Sequence, residues 1–211
     1  TPHPEKPWVV EVRRGESGDQ AWRGKPGELH HSTTGERGGI WRHRARAPQK
    51  IWGTGYGSHG LDVSTYYHQM PDAADPRLAW IMENVAKDEK IGDFGLVNGG
   101  AAGLEMDHID YALGSPPNTM LIGASIGHSA NAMLVPEDIY FAHPGTNGEE
   151  DPLVRGDLVF ASSTNGGAVF SVSSMAWCGS LSHNGYNNNV STITLNVINR
   201  FSTDGPVEEV V

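Results

Sequence analysis

The sequence predicts an α/β fold in which strands and helices pack in layers and loops follow the strand ends. Short apolar runs of strand length alternate with segments of helical spacing, and glycine reaches 27 of 211 residues. Many of these glycines occur in pairs within apparent loops, where close backbone approach or positive φ favours glycine. The length predicts one sizeable domain, with or without a smaller appendage.

The N-terminal part predicts a strand followed by an irregular arm. Residues 8–14 alternate apolar and polar side chains, as a half-buried strand does. Residues 15–50 are rich in Gly, His, Arg and Trp and show few helical or strand periods, so residues 1–50 are interpreted as an arm with an initial strand. A strand this close to the first residue indicates a segment of a longer polypeptide. The α/β domain is predicted over 51–204 and a tail over 205–211.

Two helices are predicted in this domain. Asp75 is suited to cap a helix and Pro76 to open it. The apolar residues that follow on one face are Leu78, Ile81, Met82 and Val85. The second helix follows three asparagines at 187–189. Its apolar stripe consists of Val190, Ile193, Val197, Ile198 and Phe201.

The remaining elements are strands. Residues 91–97 form a short apolar run that ends in a glycine loop, and further strands are predicted at 119–125 and 137–143. Residues 157–162 and 168–176 flank Thr-Asn-Gly-Gly, a turn sequence typical of hairpins.

Charge and composition exclude several classes of protein. The net charge of −10 argues against nonspecific binding to nucleic acid or to an anionic membrane. The single cysteine, Cys178, excludes an internal disulfide. No stretch approaches the ~20 apolar residues that span a bilayer, so a cytoplasmic location is the expectation.

A glycine-rich segment carries the first candidate site. Residues 98–108 lead from Asn-Gly-Gly through small residues into a cluster of Glu105, Asp107 and His108. Small residues let the backbone approach a ligand, and Glu105 could act there as a general base if its surroundings tune its proton affinity. The alternative is that these acids cap or solvate a helix start. The pattern lacks a dinucleotide fingerprint and a phosphate-binding lysine, which gives nucleotide cofactors little support.

Three other groups are open to a functional or a structural interpretation. Glu28, His30, His31 and Glu36 combine ligand types that suit iron or zinc, but their spacing favours a hydrogen-bonded loop. His128 is either a polar site group or a satisfied loop histidine, since Ser-Ile-Gly-His-Ser lacks the nucleophile-elbow frame. Cys178 and His183 invite a thiolate interpretation, but the position beside Trp177 favours a buried, inert cysteine.

Several long motifs resemble one known family. They are HHSTTGERGGIWRHRARAPQK, IGDFGLVNGGAAGLEMDHIDYALGSPP, DPLVRGDLVF, TNGGAVFSVSSMAWCGSLSHNGYNNNV and NVINRF. In this order, from about Trp8 to Phe201, they resemble the C-terminal region of the N,N-dimethylformamidase large (beta) subunit. The resemblance implies a glutamine-amidotransferase-like layered α/β domain. Amidotransferase chemistry is not expected, because no cysteine occupies the strand-to-helix elbow.

The resemblance also implies an activity. Members hydrolyse N,N-dimethylformamide or similar small formamides to formate and an amine, with a mononuclear iron held by two tyrosines and a glutamate. Those ligands are expected outside this chain, in a large subunit that pairs with a small one. Glu105 is carried over as the active-site base and Phe141 as an apolar wall of the substrate pocket. His128 is the further substrate-binding candidate.

Two other functions remain open at this stage. The chain could be a noncatalytic α/β domain that supports subunit assembly, with its glycine loops closing a pocket made elsewhere. It could also be a small-ligand-binding module on a degenerate amidotransferase-like fold. Since all three share a fold, the site has to decide between them.

Overall fold

A computed structural model describes residues 2–3, 5–11, 30–31, 34–36, 38, 41–135, 144–205 and 207. The strands are β1 (Pro2–His3), β2 (Lys6–Val10), β3 (Gly55–Gln69), β4 (Ala102–His108), β5 (Met120–Ile126), β6 (Met133–Leu134), β7 (Asp157–Ser162) and β8 (Ala168–Ser171). The α-helices are α1 (Gln49–Trp52), α2 (Ala176–Ser180) and α3 (Asn189–Phe201). Single 3₁₀ turns cover Trp41–Arg44, Pro71–Ala74, Pro76–Leu78 and His183–Tyr186.

The main sheet is antiparallel and strongly curled. Its strands follow the order β4-β3-β5-β7-β8, and β6 pairs with β3. The long strand β3 pairs with β4 and β6 along its first part and with β5 over its last four residues. Beyond β8 the chain reaches β4 again, where the Asp107 backbone N–H donates to the Ser173 carbonyl over 2.9 Å. The two ends of the sheet therefore meet.

The main core lies between this sheet and α3. Val190, Ile193 and Val197 recur at helical spacing and are buried, so one stripe of α3 faces the core. Tyr67 lies against Trp177 in an edge-on arrangement with ring centroids 5.8 Å apart. A second, smaller core beneath β3, β4 and β6 contains Met106, Ala132, Val154 and Leu134. The sheet thus has a separate apolar support under the strand that carries Glu105.

The predicted helix from residue 75 is wrong beyond its first turn. Asp75 does cap, since its side chain accepts from the Arg77 N–H, but the turn it caps is a 3₁₀ turn of three residues. Side chains then take carbonyls that a helix would use: Gln69 donates to Ala86, and Asn196 donates to Ile81 and Glu83. The apolar positions still pack inwards as predicted: Leu78, Ile81 and Met82 are buried, and Val85 is half-buried.

The predicted strand at 91–97 is also wrong. Only Ile91 makes a strand contact, an isolated bridge to Tyr67. Gly92 has a φ of 72° and Leu96 is 83% exposed, which is incompatible with a continuous buried strand. The apolar residues of this segment lie in a series of turns.

Three other predicted elements are confirmed. The strand at 119–125 is β5, the hairpin is β7 and β8, and the last helix is α3 with Asn188 as its cap. The second hairpin strand ends earlier than predicted, at Ser171. In the stripe of α3, Ile198 and Phe201 are 55% and 41% exposed. The strand predicted at 137–143 lies outside the described residues.

The N-terminal strand is present as β2 but is not half-buried. Trp8, Val9 and Val10 are all exposed, because among the described strands β2 pairs with β1 alone. Most of the arm predicted over 15–50 lies outside the described residues. The described part is a mixed α/β structure, and it does not confirm the layered glutamine-amidotransferase-like arrangement, which stays a prediction. None of its helices combines the length and apolar character needed to cross a membrane.

Candidate active site on strands β3 and β4

Glu105 lies in the middle of β4 on the exposed face of the sheet. Its neighbour Met106 is fully buried in the small core, so alternation along the strand directs the Glu105 side chain away from that core. A carboxylate in this position is available to a ligand or to further polypeptide. The structure places Glu105 on a strand rather than at a helix start, which removes the alternative of a capping group.

The backbone around Glu105 is irregular on both strands. Leu104, directly before it, has a φ of 60°, a left-handed conformation that costs free energy for a leucine. On β3, the register steps from Gly60 opposite Leu104 to Thr65 opposite Ala102, so residues 61–64 bulge out of the ladder. Bulges and strained residues concentrate beside active sites, where they redirect side chains. Both features adjoin the same carboxylate.

Close packing explains the small residues before Glu105. A Cβ on Gly100 would lie 2.2 Å from the Thr65 carbonyl oxygen, and one on Gly103 would lie 2.0 Å from the Ser64 Oγ. Asn98 ties the bulge down, because its side-chain amide donates to the Leu61 carbonyl. The glycines therefore seat β4 against the bulge of β3 and fix the position of Glu105.

His59 and Tyr56 share this site, and the sequence analysis missed both. His59 stands directly opposite Glu105 in the register of β3 and β4. The Tyr56 hydroxyl and His59 Nδ1 are joined by a hydrogen bond of 3.1 Å. Both side chains are half-buried. The available signal was the run Gly-Tyr-Gly-Ser-His-Gly, whose glycines mark a strand with close packing and a bulge.

Comparison with known proteins identifies the family. The family described as "N,N-dimethylformamidase beta subunit-like, C-terminal" matches residues 2–189. The chain belongs to this family.

Two relatives show the same similarity. The N,N-dimethylformamidase beta subunit of an Alcaligenes species is 56% identical over 208 residues, which cover 99% of this chain and 27% of that protein. The N,N-dimethylformamidase beta subunit of Paracoccus aminophilus is 56% identical over 204 residues, 97% of this chain and 27% of that protein. The resemblance inferred from the motifs is thus confirmed, and the chain spans about a quarter of the length of these relatives.

His128, the predicted substrate-binding histidine, is buried in this member of the dimethylformamidase beta-subunit family. Its Nε2 lies 2.7 Å from Ser125 Oγ, which in turn accepts from the Gly156 N–H over 2.7 Å. Burial lowers the pKa of His128 to about 4, and the charge of Asp62 partly opposes that effect. His128 is therefore neutral near pH 7. Its Nδ1 has no hydrogen-bond partner among the described residues.

A second buried polar group lies at the far end of β4. Asp157 is fully buried and forms an ion pair with Arg155, whose Nε lies 2.7 Å from Asp157 Oδ1. The Ile109 N–H donates to the other carboxylate oxygen. Burial lowers the pKa of nearby His108, an effect that Asp157 opposes. This ion pair fixes the end of β4 against β7, and the sequence analysis did not identify it.

The other candidate residues are less well defined. Phe141 lies outside the described residues, as does Glu28. His31 is buried with its Nδ1 3.8 Å from Glu11 Oε2, His30 is exposed and Glu36 is half-buried. In the described ranges, no group of three or more His, Cys, Asp or Glu side chains could hold a metal ion.

The expectation of a buried cysteine is wrong. Cys178 is exposed, whereas its neighbour Trp177 is 3% exposed and packs in the core. The reason is the short helix α2, which turns successive residues to different sides rather than continuing the strand. His183 is stacked on Phe94 with centroids 4.1 Å apart, so its ring is engaged away from a thiolate role.

Proposed function

We propose that this chain is the C-terminal segment of an amide hydrolase that acts on N,N-dimethylformamide or similar small formamides, with Glu105 as general base. The observation that carries the proposal is the position of Glu105: an exposed carboxylate beside a strained residue and a bulge. Membership of the dimethylformamidase beta-subunit family supports the substrate class.

Amide hydrolysis needs one group that first accepts a proton and then donates it. Water adds to the amide carbonyl carbon, and Glu105 accepts the proton that the water loses. The same carboxylic acid then donates that proton to the nitrogen as the carbon–nitrogen bond breaks. The products are formate and the protonated amine, because the amine takes the proton that formic acid releases. Glu105 ends as the carboxylate with which it began.

The iron that the resemblance implies belongs to the proposal as a group held from outside this chain. As in the resemblance, we propose that its tyrosine and glutamate ligands come from further polypeptide. When bound, such an iron would supply Lewis-acid activation of water or of the carbonyl group. The proposed partners are the remainder of the large subunit, a small subunit and the amide substrate.

Small substrates constrain how the site discriminates. Dimethylformamide offers little remote binding energy, so a small apolar pocket and a few positioned polar groups must provide selectivity. Phe141 and His128 stay the proposed pocket residues. His128 is buried and hydrogen-bonded to Ser125, so its proposed role is to support the pocket rather than to contact bulk solvent.

Glu105→Gln in the complete enzyme tests the proposal. Gln keeps the size and hydrogen bonding of the side chain but cannot accept the proton, so formate release should fall by about 10²- to 10⁴-fold. Glu149→Gln, on an exposed turn, is the matched control and should retain full turnover. Metal content and subunit assembly should be unchanged in both variants. Near-wild-type turnover of Glu105→Gln would leave the assembly role, the second candidate.

That second candidate also rests on an observation. The outer side of α3 exposes Leu195, Ile198 and Phe201, and a groove of about 320 Å³ runs between α3 and Tyr186. Exposed apolar surface of this kind is typical of a contact with further protein. An assembly role is compatible with catalysis by Glu105, and the variant above separates a chain that has both roles from one that only assembles.

A further inference from the structure

The feature that carries a further inference is the pair His59 and Glu105 across β3 and β4. In an antiparallel ladder, residues directly opposite each other lie on one face, with their Cβ atoms about 4.5–5.5 Å apart. His59 and Glu105 are such a pair. The structure contains no direct hydrogen bond or ion pair between these two described side chains, but groups at this separation can be bridged by one water. The base of the proposed reaction therefore has a titratable neighbour fixed by the backbone.

A bulge brings Tyr56 onto the same face as His59. In a regular strand, residues three apart point to opposite faces. Between Tyr56 and Ser58 the register advances by only one residue on β4, from Asp107 to Met106, so Gly57 is an extra residue on β3. That insertion restores Tyr56 and His59 to one side, where the hydroxyl and Nδ1 make their 3.1 Å bond.

Gly57 packs against the His108 ring. A Cβ at this position would lie 2.1 Å from Cε1 of that ring. A larger residue in the bulge would therefore displace the imidazole of His108.

The hydrogen bond to Tyr56 selects a tautomer. If the Tyr56 hydroxyl donates to Nδ1, the ring proton of neutral His59 sits on Nε2, at the far side of the imidazole. Nε2 is then a donor with a carboxylate opposite it. Tyr56 would orient His59, and His59 would orient Glu105, so the base would be held by two further groups.

We propose that His59 positions Glu105 by donating a hydrogen bond from Nε2 to its carboxylate through one water, with Tyr56 holding the imidazole. This inference rests on the proposed role of Glu105 as base. His59 is a positioning residue: it transfers no proton in the cycle, and it holds the carboxylate aimed at the attacking water.

Several described groups lie near His59. From β4, Glu105 and Asp107 face β3, and Asp107 stands opposite Tyr56. From β6, Met133 stands opposite His59 and does not titrate. On β3, Asp62 is bonded to the Ser129 hydroxyl and the Asn131 amide. Among these described acids, Glu105 is the one directly opposite His59 in the ladder.

Substitution of His59 in the complete enzyme tests the inference through the pH profile of kcat/KM for formate release. His59→Ala removes the donor, so the base is mispositioned and kcat/KM should fall by about 10²-fold. If the bridged donor acts on the base, the acid limb of the profile should also move to higher pH. His59→Gln keeps an N–H near the place of Nε2, and it should restore most of the rate and a near-wild-type acid limb.

The outcomes separate this inference from the proposed function. If Glu105→Gln is inactive but His59→Ala keeps the wild-type rate and pH profile, the positioning role is overturned and the function stands. A slow His59→Ala enzyme with an unmoved acid limb would indicate a structural role only and would equally overturn it. If Glu105→Gln is fully active, the proposed function fails, and this inference fails with it.

A third variant covers failure of the His59 variants to fold. Tyr56→Phe removes one hydroxyl group and leaves the ring in place. Without the bond to Nδ1 the tautomer is no longer fixed, so kcat/KM should fall by about tenfold and the acid limb should broaden or shift upwards. A wild-type profile for Tyr56→Phe would contradict the proposal by itself. Circular dichroism and subunit assembly, compared with the wild type, establish that each variant is folded.

Discussion

At the residue scale, His128 shows how burial couples one side chain to the stability of the whole chain. Its ring is 4% exposed and its pKa is lowered to about 4 by burial, against about 6.5 in an unfolded chain. At pH values between these two pKa values, His128 is protonated in the unfolded state and neutral in the folded state. The contribution of His128 is therefore fully present above about pH 6.5 and is lost as the pH falls towards 4.

This linkage gives a measurable slope. The free energy of unfolding, from urea denaturation, should fall by about 2 kcal/mol between pH 7 and pH 5 because of His128. His128→Gln should remove that part of the slope, while the exposed His183→Gln should keep it. The comparison concerns the difference between the two pH values, so a general loss of stability in a variant does not disturb it. Equal slopes in wild type and His128→Gln would contradict the assignment.

The sequence identified one member of the candidate site and missed its neighbours for a physical reason. Glu105 stands out because a run of small residues precedes it, and that signal is local. His59 and Tyr56 join it only through the register of two strands that are more than thirty residues apart, with a bulge at Gly57. Cross-strand register depends on packing of both faces, which local spacing does not encode. The resemblance to the family supplied Glu105 as well, but not its partners.

At the scale of elements, capping residues were easier to predict than element lengths. Asp75 and Asn188 both cap as their residue types suggest, yet one opens a single 3₁₀ turn and the other a helix of thirteen residues. The difference lies in tertiary hydrogen bonds from Gln69 and Asn196, which take carbonyls of the first segment. Such long-range bonds override local propensity.

Asn188 is the element-scale test. Its Oδ1 accepts from the Ser191 N–H over 2.9 Å, and its amide donates to the Leu181 and His183 carbonyls. Asn188→Ala removes all three bonds and should lower the free energy of unfolding by about 1–2 kcal/mol. Asn199→Ala, on the exposed side of the same helix, is the control and should leave it within about 0.5 kcal/mol. A loss no larger than that of the control would show that the cap does not determine where α3 begins.

At the scale of the whole molecule, the described surface is incomplete as a catalytic site. Glu105 lies on an open face, large apolar side chains such as Trp8, Trp52 and Leu195 are exposed, and the chain spans 27% of the length of its relatives. A base working on a small amide needs a desolvated pocket. Under the proposed function, further polypeptide would cover the β3–β4 face and supply the remaining groups.

The isolated chain tests this view of a divided site. Purified alone, it should hold no stoichiometric iron and should release no formate from dimethylformamide, because the resemblance implies iron ligands outside this chain and the candidate base faces solvent. Metal analysis by mass spectrometry and a formate assay measure both properties, and the complete enzyme serves as the positive control. One tightly bound iron per isolated chain would contradict the prediction and would place ligands within these 211 residues. Formate release without iron would instead show that Glu105 and its neighbours on β3 suffice for the chemistry.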